Sequence, residues 1–371
     1  MIRYLLLLCS VILFSCTATQ KYTEVKTIFS IKKSNIDTSY IEIPEKYQYD
    51  VFSSTTINDT DYLAILAIDT VRVYNLNNKK KVNELVLQSE INDTDGNYSV
   101  KSIILNNIHD IFTISKKRLT RYKNNNISTS EINMHEDHYL LYNLEGDRPY
   151  FDSLKGKIYL EKYSTSHSMQ SAKFYQENVL SELDVRTQKD TDCAITYPAL
   201  YSTNYYGYSM HVYFSSNDSV TVVSFEADPN IYLYHRNTAQ TTVIGGRSSF
   251  QKENITPLNV KLASSREEKM KHWTQIPEYN ETLIDKSSGY IYRFFYEGQP
   301  LKQPSGLYNR YRNKEQVLMI FNDKMQVVSE IELGKNVIDN YRAFTGKNKL
   351  YMPLTKRGNG SIIFKTVSIV L

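Results

Sequence analysis

One pattern recurs along the chain and limits the folds open to it: an aliphatic strand ending in an aromatic residue, a polar turn, then a second strand. It is plainest in VRVYNLNNKKKVNELVL around Tyr74 and in VLMIFNDKMQVVSEIEL around Phe321. Weaker copies are LTRYKNNNISTSEI at Tyr122, AKFYQENVLSEL at Tyr175, IYLYHRNTAQTTVI at Tyr234 and SIIFKTVSIVL at Phe364. These aromatics follow one another at about 40 to 60 residues, with one long insertion ahead of Phe321, and a four-stranded propeller blade takes about 40 to 50. Six hairpins imply an all-β propeller of six four-stranded blades. A seven-bladed ring with one degenerate blade is the alternative. Only seven residues follow Phe364, too few for a turn and an outer strand. An N-terminal strand, from VKTIFSI or SYIEIP, should therefore complete the last blade and close the ring.

The residue usage fits strands joined by tight turns. There are 31 Tyr against one Trp, and Tyr, Ile, Val and Thr favour pleated, half-buried surfaces while Asn, Asp, Gly and Ser supply turns. Segments such as YLAILAI, IYLYH, YIYRFFYE and QVLMIF read as strands, and KNNN, SSND, NDKM and TGKN read as the turns between them. Lys and Arg number 44 against 40 Asp and Glu, with no basic stripe, so nucleic acid is not an expected partner. The three cysteines are Cys9, Cys16 and Cys193. They offer no disulfide framework, and a large core must hold the fold.

The chain opens MIRYLLLLCSVILFSCTATQ. After Arg3 comes an apolar run of about a dozen residues, shorter than the roughly 20 that cross a bilayer as a helix, and signal-peptide-like in its proportions. Leu13, Phe14, Ser15 and Cys16 resemble the lipobox of bacterial lipoproteins, which implies cleavage before Cys16 and lipidation of its sulfur. Residues 1–15 then read as signal peptide, 16–26 as lipid anchor and tether, and 27–371 as one propeller domain. No acidic cluster follows Cys16. In the lipoproteins that the segment resembles, this favours the periplasmic face of the outer membrane, with the membrane itself a partner through the lipid.

The stretch from NETLIDKSSGYIYRFFYEG to EQVLMIFNDKMQVVSEIELG carries a further resemblance, centred on Tyr279, Asp285, Tyr290, Tyr292 and Arg293. With the lipobox and the aromatic-Asn hairpins, it resembles uncharacterised propeller lipoproteins of Gram-negative anaerobes, a domain of unknown function. Ile291, in the middle of YIYR, departs from the family pattern. The resemblance implies the fold and the address. It implies no chemistry.

The insertion before Phe321 is the first place to look for a site. SSREEKMKHWTQIPEY opens with overlapping Ser-x-x-Glu capping boxes and stops at Pro277, so a short helix is expected near 264–277. It carries the only Trp, Trp273, beside His272, and the strand that follows offers Tyr292 and Arg293. An aromatic platform with a fixed guanidinium suits a sugar ring, a carboxylate or a peptide terminus. The plainer alternative has Trp273 plugging a blade edge and Arg293 pairing with a carboxylate such as Asp285. A second cluster, TYPALYSTNYYGYSMHVYF, gathers Tyr205 and Tyr206 near a glycine, with strand packing the simpler explanation.

Motifs for catalysis are weak. Asp93, Asp95 and Asn97 alternate as in a calcium loop, but Tyr98 and Ile104 stand where that loop needs Gly and Glu. His135 and His138, three apart, would face opposite sides of a strand. Cys193 has no histidine near it in sequence, so no metal and no cofactor is expected. The favoured reading is a membrane-anchored, non-catalytic binding or scaffold module for a protein, peptide or glycan. The alternative is a propeller hydrolase or lyase at the central channel, which converging carboxylates and histidines with shifted pKa values would favour.

Overall fold

The computed structural model describes residues 24–30, 36–45, 51–87, 100–115, 118–132, 138–140, 148–164, 166–356 and 360–369. Cys16, the Asp93–Asn97 stretch and His135 lie outside them. The described strands form six antiparallel sheets arranged as a six-bladed propeller. Blade 1 is Val51–Ile57, Thr60–Ala67, Thr70–Asn75 and Lys80–Val86, and blade 2 is Ser102–Asn107, Asp110–Ile114, Arg118–Lys123 and Asn126–Glu131. In blade 3 the inner edge is divided: His138–Leu140 and Tyr150–Asp152 both pair with Lys157–Ser164, followed by Asn178–Asp184 and Asp190–Thr196. Blade 4 is Val212–Ser216, Val220–Phe225, Ile231–His235 and Gln240–Ile244, and blade 5 is Glu278–Ile284, Ile291–Tyr296, Glu315–Phe321 and Val327–Lys335.

Blade 6 joins the two ends of the chain. Phe344–Gly346, Lys349–Pro353 and Ile362–Ile369 are its first three strands, and Ile36–Ile43 is the fourth, with Ile41 opposite Phe364 and Ile43 opposite Ile362. SYIEIP thus supplies the closing strand. VKTIFSI does something else: its residues 28–30 run parallel to Val327 on the edge of blade 5, and Val25 N–H donates to Asn230 Oδ1 at 2.8 Å. This strap needs Gly245, where a Cβ would fall 2.4 Å from the Lys26 carbonyl.

Closure is also visible in the core. Six buried apolar clusters fill the six joints between neighbouring blades. The period of two sends alternate residues of each middle strand to opposite neighbours. In Ile291–Tyr296, Tyr292 and Phe294 pack toward blade 6, while Ile291 and Phe295 pack toward blade 4. Turns follow the residues that permit them: Asn58 and Asp59, and Asn124 and Asn125, all have positive φ, the geometry of two-residue hairpins. Tyr175 is the exception to the repeat. It sits in the 3-10 turn Phe174–Gln176, ahead of its blade's third strand, because its ring is drawn into an aromatic cluster with Tyr197 and Tyr201 at 5.1 and 5.5 Å.

Candidate functional site: a polar pocket between blades 5 and 6

The long insertion consists of two parts: residues 245–277 before blade 5, and 297–314 inside it. The first contains the helix Arg266–Gln275, capped by Ser265, whose hydroxyl accepts the Glu268 N–H at 3.2 Å. Trp273 leaves this helix and stacks on Tyr311 from the second part, with centroids 3.9 Å apart and planes 12° from parallel. Its indole N–H donates to Glu278 Oε2. Tyr311 is therefore held flat from behind, half-exposed at its outer side.

In front of Tyr311 lies a cavity of about 350 Å³ whose walls include Arg312, Gln316, Asn340, Tyr341, Arg342 and Glu278. Two short 3-10 turns supply much of it, Tyr311–Asn313 and Asn340–Arg342, and each contains a Tyr-Arg pair. Arg312 Nε donates to Tyr311 Oη at 2.7 Å, and Arg342 bonds Asp339 at 2.8 Å. Asn340 is 1% exposed; its Oδ1 accepts from Tyr296, while its Nδ2 has no hydrogen-bond partner. A buried amide donor left unmade costs about 1–3 kcal/mol, and here that donor belongs to a residue of the cavity wall.

Behind the cavity runs a buried polar chain. Glu226 accepts from Tyr213 Oη at 2.8 Å and lies 2.9 Å from His211 Nδ1; Asn280 Nδ2 reaches Glu278 Oε1 at 3.3 Å. Lys314, fully buried, sits 3.4 Å from Glu278 Oε2. Burial pushes the Glu278 carboxyl above the ordinary carboxylate range and pulls the Lys314 ammonium below its usual value, although each opposes the other's shift. Glu281 is also buried, with Arg148 Nη2 at 3.3 Å. Among the described residues, no group of three or more His, Cys, Asp or Glu is arranged to hold a metal.

The remaining candidates from the sequence go elsewhere. Arg293 is 0% exposed and faces blade 4, away from the cavity. Its guanidinium donates to the carbonyls of Pro229, Gly246, Asp228 and Asn230 and to Ser224 Oγ, and lies 3.9 Å from the Tyr279 ring centre. It clamps two blades together and is not the guanidinium of a ligand site. The Arg293–Asp285 pair considered as the plainer alternative is also replaced: Asp285 caps its own turn, accepting from Ser287 and Ser288. Tyr292 is buried in the joint with blade 6. His272 donates through Nε2 to the Thr256 carbonyl at 2.7 Å, and burial holds its pKa below the usual value.

Tyr206 packs 5.2 Å from Tyr201, and burial raises its hydroxyl to about 12; Tyr205 bridges to Leu258. Both belong to packing. Cys193 is buried and its thiol is pushed up to about 12, mainly by burial, so it is inert as a nucleophile. Of the residues singled out by sequence, only Trp273 reaches the cavity's wall structure. Tyr311, Arg312 and Arg342 escaped notice; the repeated Tyr-Arg dipeptide in turn-like surroundings was the available signal.

No protein-family model and no curated protein matches the chain. Among solved structures, a DUF4221 family member from Bacteroides vulgatus is similar at a TM-score of 0.74 and 15% identity, covering 94% of this chain and 99% of its own. A luciferin-regenerating enzyme matches at a TM-score of 0.45 and 10% identity, over 90% of this chain and 98% of its own. Regucalcin, a calcium-binding protein from Agrobacterium tumefaciens, matches at 0.44 and 7%, over 94% and 98%. The first of these similarities speaks to fold alone: the protein is a six-bladed β-propeller built like the member of that domain-of-unknown-function family.

Proposed function

We propose that the protein is a lipid-anchored, non-catalytic binding propeller whose ligand is a glycan seated in the Tyr311 pocket. The observation that supports this is a cavity walled by Asn340, whose buried Nδ2 is unpartnered, by a braced aromatic ring and by two guanidinium groups. A sugar offers an apolar C–H face to Tyr311 and hydroxyls to the amide and guanidinium donors, the mix that small-ligand pockets use. Binding of immobilised glycans by wild type, with at least a tenfold loss in Tyr311→Ala and in Asn340→Ala, is the expected result. Equal retention by all three proteins would sink the reading.

The anchor is proposed on the lipobox, and the placement at the outer membrane facing the periplasm on the absence of an acidic cluster after Cys16. Cys16→Ser should abolish incorporation of a labelled fatty acid and release the protein from membranes. A second reading has one observation in its favour. Glu278, a carboxyl favoured in its protonated form by burial, lines the same cavity, as a general acid would. Cleavage of a bound glycan by wild type, lost in Glu278→Gln while binding persists, would replace the binding reading with a catalytic one.

A further inference from the structure

A second cavity lies on the propeller axis, sharing the wall residues Tyr341 and Arg342 with the Tyr311 pocket, and the geometry points to a site for a small oxyanion there. It measures about 110 Å³, room for several waters or one such ion. All six blades or the segments leading into them contribute to its wall. Four cationic side chains line it, Lys101, Arg148, Lys286 and Arg342, and no carboxylate does among the described residues. Arg148 and Arg342 are steadied from behind by Glu281 at 3.3 Å and Asp339 at 2.8 Å, neither of which reaches the cavity. The Lys286 ammonium stands 4.6 Å from the centre of the Tyr150 ring.

Hydroxyl donors complete the site. Ser53 Oγ accepts the Leu105 N–H at 2.9 Å, and Ser215 Oγ accepts the Ile284 N–H at 3.2 Å. Each bond ties a blade to the next and leaves the serine's own proton to point elsewhere. Both serines line the cavity. A cleft walled by cations of one sign and by apolar side chains such as Phe52 and Phe344 concentrates positive potential, because low-dielectric walls focus the field. Ionised acceptors are the partners that cations and hydroxyls together satisfy best. Phosphate, sulfate and the carboxylate of an organic ligand share this chemistry.

The test uses the full chain in a chloride buffer of constant ionic strength, with inorganic phosphate, sulfate and acetate as separate probes. Thermal unfolding is followed for wild type, Lys286→Gln and Ser53→Ala/Ser215→Ala. A ligand that binds only the folded state raises the midpoint saturably with concentration. The expected result is such a rise for at least one probe, with an apparent affinity lower by tenfold or more in both variants. Phosphate or sulfate alone acting identifies an inorganic ion, and acetate alone identifies an organic carboxylate. No saturable rise with any probe, or equal rises in variants and wild type, overturns the proposal. Glycan binding by the same variants should stay at the wild-type level, which separates this site from the Tyr311 pocket.

Discussion

Arg293 and Arg342 illustrate two uses of the same side chain in one propeller. Arg293 spends its donors on four carbonyls and a serine hydroxyl inside the joint between blades 4 and 5, where it is 0% exposed. Even Gly246 is shaped to it, since a Cβ there would approach Nη1 to 2.6 Å. Arg342 sits in a 3-10 turn between two cavities, bonded to the Asp339 carboxylate, and remains half-exposed. The lesson is that a guanidinium beside aromatics need not signal binding, because backbone carbonyls can consume its donors. Of the residues that carry the family resemblance, Tyr279 and Arg293 are parts of this structural clamp.

The largest expected effect comes from removing the clamp's setting altogether. Deleting residues 1–44 takes away the closing strand Ile36–Ile43 and exposes the edge of Ile362–Ile369, so the chain should unfold cooperatively at a much lower temperature or associate through that edge, as size-exclusion chromatography would show. Retention of a monomer with the wild-type midpoint would contradict the closure. Next is Arg293→Met, which leaves several buried carbonyls unpaired and should cost at least about 3 kcal/mol in denaturant titration. A change below about 1 kcal/mol would mean the clamp is dispensable.

Trp273→Ala removes the brace behind Tyr311 and a donor to Glu278. It should lower stability by about 1–2 kcal/mol and weaken glycan binding together. By contrast, Tyr311→Ala should weaken binding while moving stability by no more than about 1 kcal/mol. If Arg293→Met weakened binding of the folded protein as much as Tyr311→Ala does, the distinction between clamp and pocket would fail.

The smallest effect concerns pH. His272 has a folded pKa below its ordinary 6.5. The unfolded chain therefore takes up a proton that the folded chain resists as pH falls through that value, so His272 contributes stability above pH 6.5 that is lost on acidification. His272→Gln should flatten the fall in unfolding midpoint below that pH. An unchanged slope would show that the acid sensitivity lies elsewhere.

Much of the fold was legible because its determinants are local. Alternation at period two, paired Asn at positive-φ turns and the Ser265 cap can each be read within about ten residues, and Tyr74, Tyr122, Tyr234, Phe321 and Phe364 then mark the third strands of five of the six blades. Tyr175 misled because it precedes the strand Asn178–Asp184 instead of standing near its end, its ring held in the aromatic cluster at the joint of blades 3 and 4. The site was less legible. Trp273 drew attention as the only indole, but its partner Tyr311 is 38 residues on, across a loop with no regular pattern.

The sequence by itself determined most of the strands and turns, a short helix near 264–277 and the need for an N-terminal strand in the last blade. Tertiary structure alone decided which arginine is consumed by backbone and which faces a cavity, because the groups that meet Arg293 across a blade joint lie about 50 to 70 residues from it in sequence. It also decided that four cations and two serine hydroxyls meet on the axis. Their convergence depends on ring closure, which brings together residues hundreds of positions apart, and no local preference encodes that distance.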